Sequence, residues 1–416
     1  MSSIFRNIKG DKAIWAVVAL LALFSFLPVY SASTNLVYVV GSGTTMGYLL
    51  KHGMLLFLGF TIIYAVHKIP YRYFRGLSII AMPVVLFLLL YTLAQGTTIG
   101  GANASRWIRL PFVGVTFQTS TLASVVLLIY VARYLSKIKD KTVSFKETIL
   151  PLWIPVFLVL MLILPANFST TAIIFFMVLM LCFLGGYPIK YLGSIVGVGI
   201  LGLTMFVLTA KAFPDLFPNR VDTWISRIEN FADKEDTESD YQIEKAKIAI
   251  ATGGVVGKGA GKSVMKNFLP QSSSDFIYAI IVEEYGLIGA FVLIFIYMLL
   301  LFRIVIVAHK AGTVFGKLVV IGVGLPIVFQ ALINMAVAVE LFPVTGQTLP
   351  LISSGGTSIW MTCLALGIIL SVSAKRQEAV ENEDDGGTPP EEGTTQKRVR
   401  KTEEELNPLE VLSEQL

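Results

Sequence analysis

Apolar runs of membrane-crossing length dominate this chain and leave it few folds to choose from. They lie at about 13–30, 46–66, 76–95, 116–134, 150–165, 170–186, 193–212, 276–302, 316–338 and 356–373, most of them near the ~20 residues that cross a bilayer as helix. Hydrocarbon offers no hydrogen bonds, so every backbone N–H and C=O must be satisfied within the segment, and helices do this. The expected fold is therefore an all-α polytopic membrane protein of about ten transmembrane helices. Its longest polar excursion, 213–275, falls between the seventh and eighth. A hydrophobic content of 55% with 15% charged residues and a mean hydropathy of +0.72 exclude an ordinary soluble core.

Cys182 and Cys363 fall inside apolar runs far apart in sequence, so no disulfide framework, metal cluster or redox chemistry is expected. The net charge of +5 sits mostly in short loops, where it reports orientation and not nucleic-acid binding. Lysines and arginines fill the head, 67–75, 133–146, 190, 303–317 and 375–376, while 31–45 and 167–170 carry none. The cation-rich side is cytoplasmic. Both termini are then inside, and the loop of Arg106 and Arg109, the segment 213–275 and the loop 339–355 share the outer face. The expected organisation is a cytoplasmic head at 1–12, a transmembrane domain at 13–373 and a disordered cytoplasmic tail at 374–416 too poor in apolar residues to fold alone. Within that tail only 406–416, with its spaced leucines, could form a short docking helix.

The outer segments carry the chemistry. Arg106 and Arg109 flank Trp107, and guanidinium groups at that boundary suit bidentate contact with phosphate or pyrophosphate. In 213–274, residues 222–231 and 241–250 have helical character on either side of an acidic run at 233–240. The string GGVVGKGAGK at 253–262 lacks the spacing of a phosphate-cradling Walker loop and reads as a flexible, cationic hinge bearing Lys258 and Lys262. The string PVTGQTLPLISSGGTS at 343–358, with Thr345, Ser353 and Ser354, reads as a re-entrant or cavity-lining loop, because irregular backbone at membrane depth needs protein or water to satisfy it. Gln330 and Asn334 on the preceding helix, with Glu340, face the same cavity or form a polar seam between helices.

Asp275 stands where the long excursion returns to the bilayer, in QSSSDFIYAIIVEEYG at 271–286. An acid there is either functional or the N-cap of the helix that follows. Of the pair eight and nine residues on, Glu283 lies closer in angle to Asp275 and is expected to face the cavity, and Glu284 to bond a neighbouring helix.

These strings, together with YQIEKAKIAIATGG, GKGAGK, RWI and the FQ of the first outer loop, closely resemble the SEDS family of bacterial cell-wall polymerases over about 10–373. GDKAIWAVV, YSAS and TLPLIS are more similar to the family's division branch than to its elongation branch. The resemblance implies a peptidoglycan glycosyltransferase that polymerises lipid II on the outer face of the cytoplasmic membrane, beside a class B penicillin-binding protein transpeptidase and other division proteins. It maps the family's essential acid to Asp275, its RWI arginine to Arg106 and its glutamate pair to Glu283 and Glu284. One departure stands out: FQTST replaces the family's FQPSE, so Thr119 stands for a proline and Thr121 for an acid.

The implied chemistry converts an α-linked pyrophosphate donor into a β-linked glycan, a single inversion that needs a general base, and Asp275 is the outward carboxylate suited to it. The departing pyrophosphate needs cations, from Arg106, Lys258, Lys262 or a divalent magnesium or manganese ion, although no metal-ligand spacing is present. A lipid flippase would also use a polar path and intramembrane acids, and a scaffold recruiting a transpeptidase is the third reading.

Overall fold

The computed structural model describes residues 9–40, 44–95, 106–109, 116–139, 141–212, 238–269 and 271–384. Its helices, in chain order, are α1 (Lys12–Val40), α2 (Thr45–Val66), α3 (Arg72–Gln95) and α4 (Thr119–Ile138), α5 (Phe145–Ile163), α6 (Phe168–Leu184), α7 (Ile189–Ala212), α8 (Glu238–Gly253), α9 (Ile277–Lys310), α10 (Val314–Ala338) and α11 (Gly356–Asp384). Among the described residues nine are long and apolar enough to cross a membrane, and α6 is a shorter apolar helix. Together these ten occupy the ten expected runs, and α8 lies in the polar excursion. Pro28, Pro83 and Pro326 sit inside α1, α3 and α10, as membrane helices allow when their neighbours satisfy the freed backbone. In α5 the segment Ile149–Trp153, which contains Pro151, winds as π-helix, and Tyr130 donates its hydroxyl to the Pro151 carbonyl at 2.7 Å.

In the most apolar stretches of α11 and α10, 72% and 61% of residues are buried, against 12% in α7. Thus α10 and α11 form the centre and α7 the rim. Around that centre α9 packs on α10, α2 on α11 and α4 on α3.

Three features depart from the expected fold. A two-stranded antiparallel ladder, β1 (Trp107–Arg109) with β2 (Thr116–Gln118), pairs Ile108 with Phe117 and interrupts the all-helical pattern, too short to leave a periodicity in sequence. The last helix runs on to Asp384, eleven residues into the stretch expected to be disordered, where AKRQEAVENED contains no helix breaker. Most important, α9 is broken. Gly286 adopts φ 66°, ψ −168°, a conformation essentially confined to glycine. The expected helix at 241–250 is the body of α8, while that at 222–231, most of the acidic run and the leucine-rich end at 406–416 lie outside the described residues.

The break is filled by the glycine string. Lys258 N donates to Glu283 O (3.0 Å) and Gly259 N to Glu284 O (2.9 Å), while Leu287 N and Ile288 N donate to Gly254 O (2.9 Å) and Val255 O (3.2 Å). The backbone groups that a helix kink exposes are therefore satisfied by a second chain segment. A methyl group added to Gly257 would lie 2.3 Å from Glu284 O, and one added to Gly286 2.3 Å from Val255 O. These glycines are required by close approach of two backbones, so the string is a fitted plug and not the flexible hinge its composition suggests. Along the half-helix at 277–285, Ala246 and Ala249 of α8 pack with Phe276, Ala279, Ile280 and Val337, which makes a small second core.

Candidate active site

Asp275 sits in a turn at 271–276 that leads into the half-helix, partly exposed with Ser274 between the buried Ser273 and Phe276. The N-cap position belongs to Phe276, with no side-chain cap bond, so the capping role does not fall to Asp275 by position. Its backbone is held from two directions. From α10, Asn334 Nδ2 donates to Asp275 O and to Gln347 O, both at 2.7 Å. From the loop at 343–355, Ser353 Oγ donates to Ser274 O (2.6 Å), and Ser354 donates from both N and Oγ to Ser273 O (3.0 Å each). A methyl group added to Gly346 would lie 3.5 Å from Asp275 Oδ2, so the carboxylate lies against a residue with no side chain, at a point where the loop is exposed.

The loop dips into the protein as its composition suggests. Tyr297, fully buried and eleven residues or ~16 Å along α9 from Gly286, donates its hydroxyl to Pro350 O at 2.6 Å. Gln330 Nε2 donates to Thr348 O (2.9 Å) and Oγ1 (3.2 Å), Ser353 Oγ accepts from Leu349 N (2.8 Å), and Leu351 is held at φ 65°. Three polar atoms here, Asn334 Oδ1, Thr345 Oγ1 and Ser272 Oγ, are buried with no hydrogen-bond partner. Unsatisfied groups of this kind cost ~1–3 kcal/mol each, a cost that a water or a bound ligand would offset.

The other expected residues fall into two further clusters. Glu283 does not open toward Asp275. Its side chain is fully buried and accepts from Lys258 Nζ (2.7 Å), Val264 N (3.0 Å), Met265 N (3.2 Å) and Ser263 Oγ. Lys258, expected to meet pyrophosphate, is thereby held by Glu283 and also reaches Thr252 Oγ1 (3.0 Å). Glu284 does reach a neighbouring helix, accepting from Ser31 Oγ of α1 and from Ser263 N (3.3 Å). Lys262 stays exposed. Residues that sequence reasoning missed are Ser263, which serves both glutamates, and Lys266, whose Nζ bonds Ser31 Oγ (3.2 Å) and Gly261 O (2.8 Å). The serine of YSAS and the clustered lysines were visible in sequence, but nothing local pairs them.

Arg106 Nε donates to Ala166 O (2.7 Å) in the turn between α5 and α6, and its side chain lines a small pocket with Leu89, Thr92, Thr119 and Asn167. The Arg109 side chain lies outside the described residues. Thr121 and Thr119, at the positions of the FQPSE acid and proline, bond Gln118 O (2.8 Å) and Thr92 Oγ1 (3.0 Å). Gln347 Nε2 bridges to Thr170 Oγ1 of α6 (3.0 Å), so the arginine pocket and the Asp275 loop meet at one end of that helix.

The chain is similar to known proteins along most of its length. Residues 11–378 match the model of the FtsW, RodA and SpoVE cell cycle proteins. A Geobacter sulfurreducens protein named probable peptidoglycan glycosyltransferase FtsW is 32% identical over 375 residues, 89% of this chain and 97% of that one. A protein of the same name from Nitrosococcus halophilus is 31% identical over 329 residues, 78% of this chain and 82% of that one. Among solved structures, a chain of a peptidoglycan synthase complex that coordinates polymerization and crosslinking superposes with a TM-score of 0.67 at 24% identity, covering 88% of this chain and 98% of that one. The Thermus thermophilus rod shape determining protein RodA gives 0.63 at 24% identity, covering 88% and 97%. With a family match across nearly all of its spans and relatives of this identity along most of its length, the chain belongs to the FtsW, RodA and SpoVE family of cell cycle proteins.

Proposed function

We propose that this multi-pass membrane protein is a peptidoglycan glycosyltransferase that polymerises lipid II on the outer face of the cytoplasmic membrane, with Asp275 as general base. The observation that carries the reading is the partly exposed Asp275 carboxylate against Gly346, beside the unpartnered Asn334 Oδ1, Thr345 Oγ1 and Ser272 Oγ. An acceptor sugar brings hydroxyl and amide groups suited to such atoms. In the reaction the acceptor hydroxyl oxygen bonds to the donor anomeric carbon as the carbon–oxygen bond to pyrophosphate breaks on the opposite side. Asp275 takes the hydroxyl proton, and the configuration inverts. Arg106 and Lys262 supply positive charge toward the leaving pyrophosphate. Lys258, paired with Glu283, contributes only through the fold.

A magnesium or manganese ion, which binds through one or two carboxylates plus substrate phosphates, would be held by Asp275 and the pyrophosphate of the donor; recovery of rate on adding the metal after chelation tests it.

The relatives named FtsW support a division role, which would be at the septum, with RodA-type elongation as the alternative, and the cation-rich short loops support cytoplasmic termini. The likeness to a chain of a synthase complex that also crosslinks supports a class B penicillin-binding protein partner. Asp275→Asn tests the reaction: it should insert and bind lipid II but lose ~10² to 10⁴ in polymerisation rate. Near wild-type glycan synthesis would remove Asp275 as base, and lipid II translocation without strands would favour a flippase.

A further inference from the structure

Glu283 has no capacity left for substrate. A carboxylate offers about four acceptor sites on its two oxygens, and here four donors take them: Lys258 Nζ and Val264 N on Oε1, Ser263 Oγ and Met265 N on Oε2. What this carboxylate does is fasten one end of the half-helix at 277–285. Its other end is the turn bearing Asp275, eight residues or ~12 Å away. Beyond Glu283 the Gly286 break uncouples the half-helix from the long membrane part of α9. The rest of α9 therefore does not fix where Asp275 stands.

Two sets of polar contacts anchor the ends of the half-helix, and between them it packs on Ala246, Ala249 and Val337. At the Asp275 end they are the bonds from Asn334, Ser353 and Ser354. At the far end they are the Glu283 carboxylate and the exchange of backbone bonds with 254–259. A short helix with every side chain from Ile277 to Val282 buried has no slack along its axis, so a shift at Glu283 is delivered to Asp275.

We infer that Glu283 is a positioning residue for Asp275, acting through the half-helix from the clamp formed by Ser263, Val264, Met265 and Lys258, and that it does not contact lipid II. This rests on the reading of Asp275 as general base. Glu283→Gln keeps size but points an amide N–H₂ at N–H donors, which opens the clamp. Misplacement of a catalytic group by ~1 Å costs on the order of 10² in rate.

The experiment is a double-mutant cycle on the full-length protein with lipid II as substrate. Glu283→Gln should lower kcat by about 10²-fold with KM within about twofold, because the lost interaction acts in the transition state. Added to Asp275→Asn, it should lower the residual rate no further, since it acts through the group already removed. A raised KM at unchanged kcat would overturn the inference in favour of substrate contact, and multiplied losses in the double mutant would overturn it in favour of an independent or merely structural role. Ser263→Ala, a milder opening of the same clamp, should lower kcat by about 10-fold at unchanged KM; an unchanged kcat would also count against the clamp. Wild-type polymerisation by Asp275→Asn alone would instead mark failure of the base reading itself.

Discussion

Replacing Gly257 with alanine should open the junction between the glycine string and the broken helix, whereas the same change at Gly261, four residues on, should be mild. Both residues have positive φ, 90° and 78°, so a side chain costs either one ~1–2 kcal/mol of backbone strain. That cost cancels in the comparison. At Gly261 nothing lies within 4 Å of the added methyl, but at Gly257 it would meet Glu284 O at 2.3 Å and Gly286 N at 2.6 Å. Both are backbone atoms, and neither can rotate aside. The string must then retreat, which breaks the bonds from Lys258 N and Gly259 N to the carbonyls of Glu283 and Glu284. Each buried carbonyl left unpaired costs ~1–3 kcal/mol, so Gly257→Ala should be ~2–6 kcal/mol less stable than Gly261→Ala. The assay is thermal unfolding of the two detergent-purified variants, with limited proteolysis at 254–266 as a local readout. Equal shifts would refute the plug and restore a flexible hinge, for which all positive-φ glycines are alike.

Other outcomes follow from the same geometry. Cysteine at the exposed Gln271 should react with an impermeant thiol reagent from outside and cysteine at Lys139 should not, against little background because Cys182 and Cys363 are buried; the reverse pattern would invert the topology. Truncation after Asp384, where the last described helix ends, should leave insertion and polymerisation intact, and lost activity in the purified truncation would refute this. Tyr297→Phe keeps the ring but strips Pro350 O of its donor, so it should cost ~1–3 kcal/mol in unfolding measurements; an unchanged midpoint would mean that the re-entrant loop is anchored elsewhere.

The spans were legible because hydrocarbon imposes one backbone solution on any sufficiently long apolar run, and 45–66, 314–338 and their neighbours needed no tertiary information to be found. The re-entrant character of 343–355 was legible for the same reason, since prolines, glycines and hydroxyl residues cannot face lipid unsupported. Asp275 stood out because a charge at that boundary is either functional or a helix cap. The contacts that hold the chain around Asp275 and the glutamate pair were not legible. Asn334 meets Asp275 across 59 residues, Ser353 meets Ser274 across 79, and Ser31 meets Glu284 across 253. No local pattern encodes such pairings, which arise only when helices far apart in sequence pack side by side. The glycine string shows the limit most plainly. Its residues permit both a hinge and a plug, since glycine allows freedom and close approach equally. Only the carbonyls of Glu283 and Glu284, brought against it by the break at Gly286, decide that the backbone there is fixed and that Lys258 pairs with Glu283.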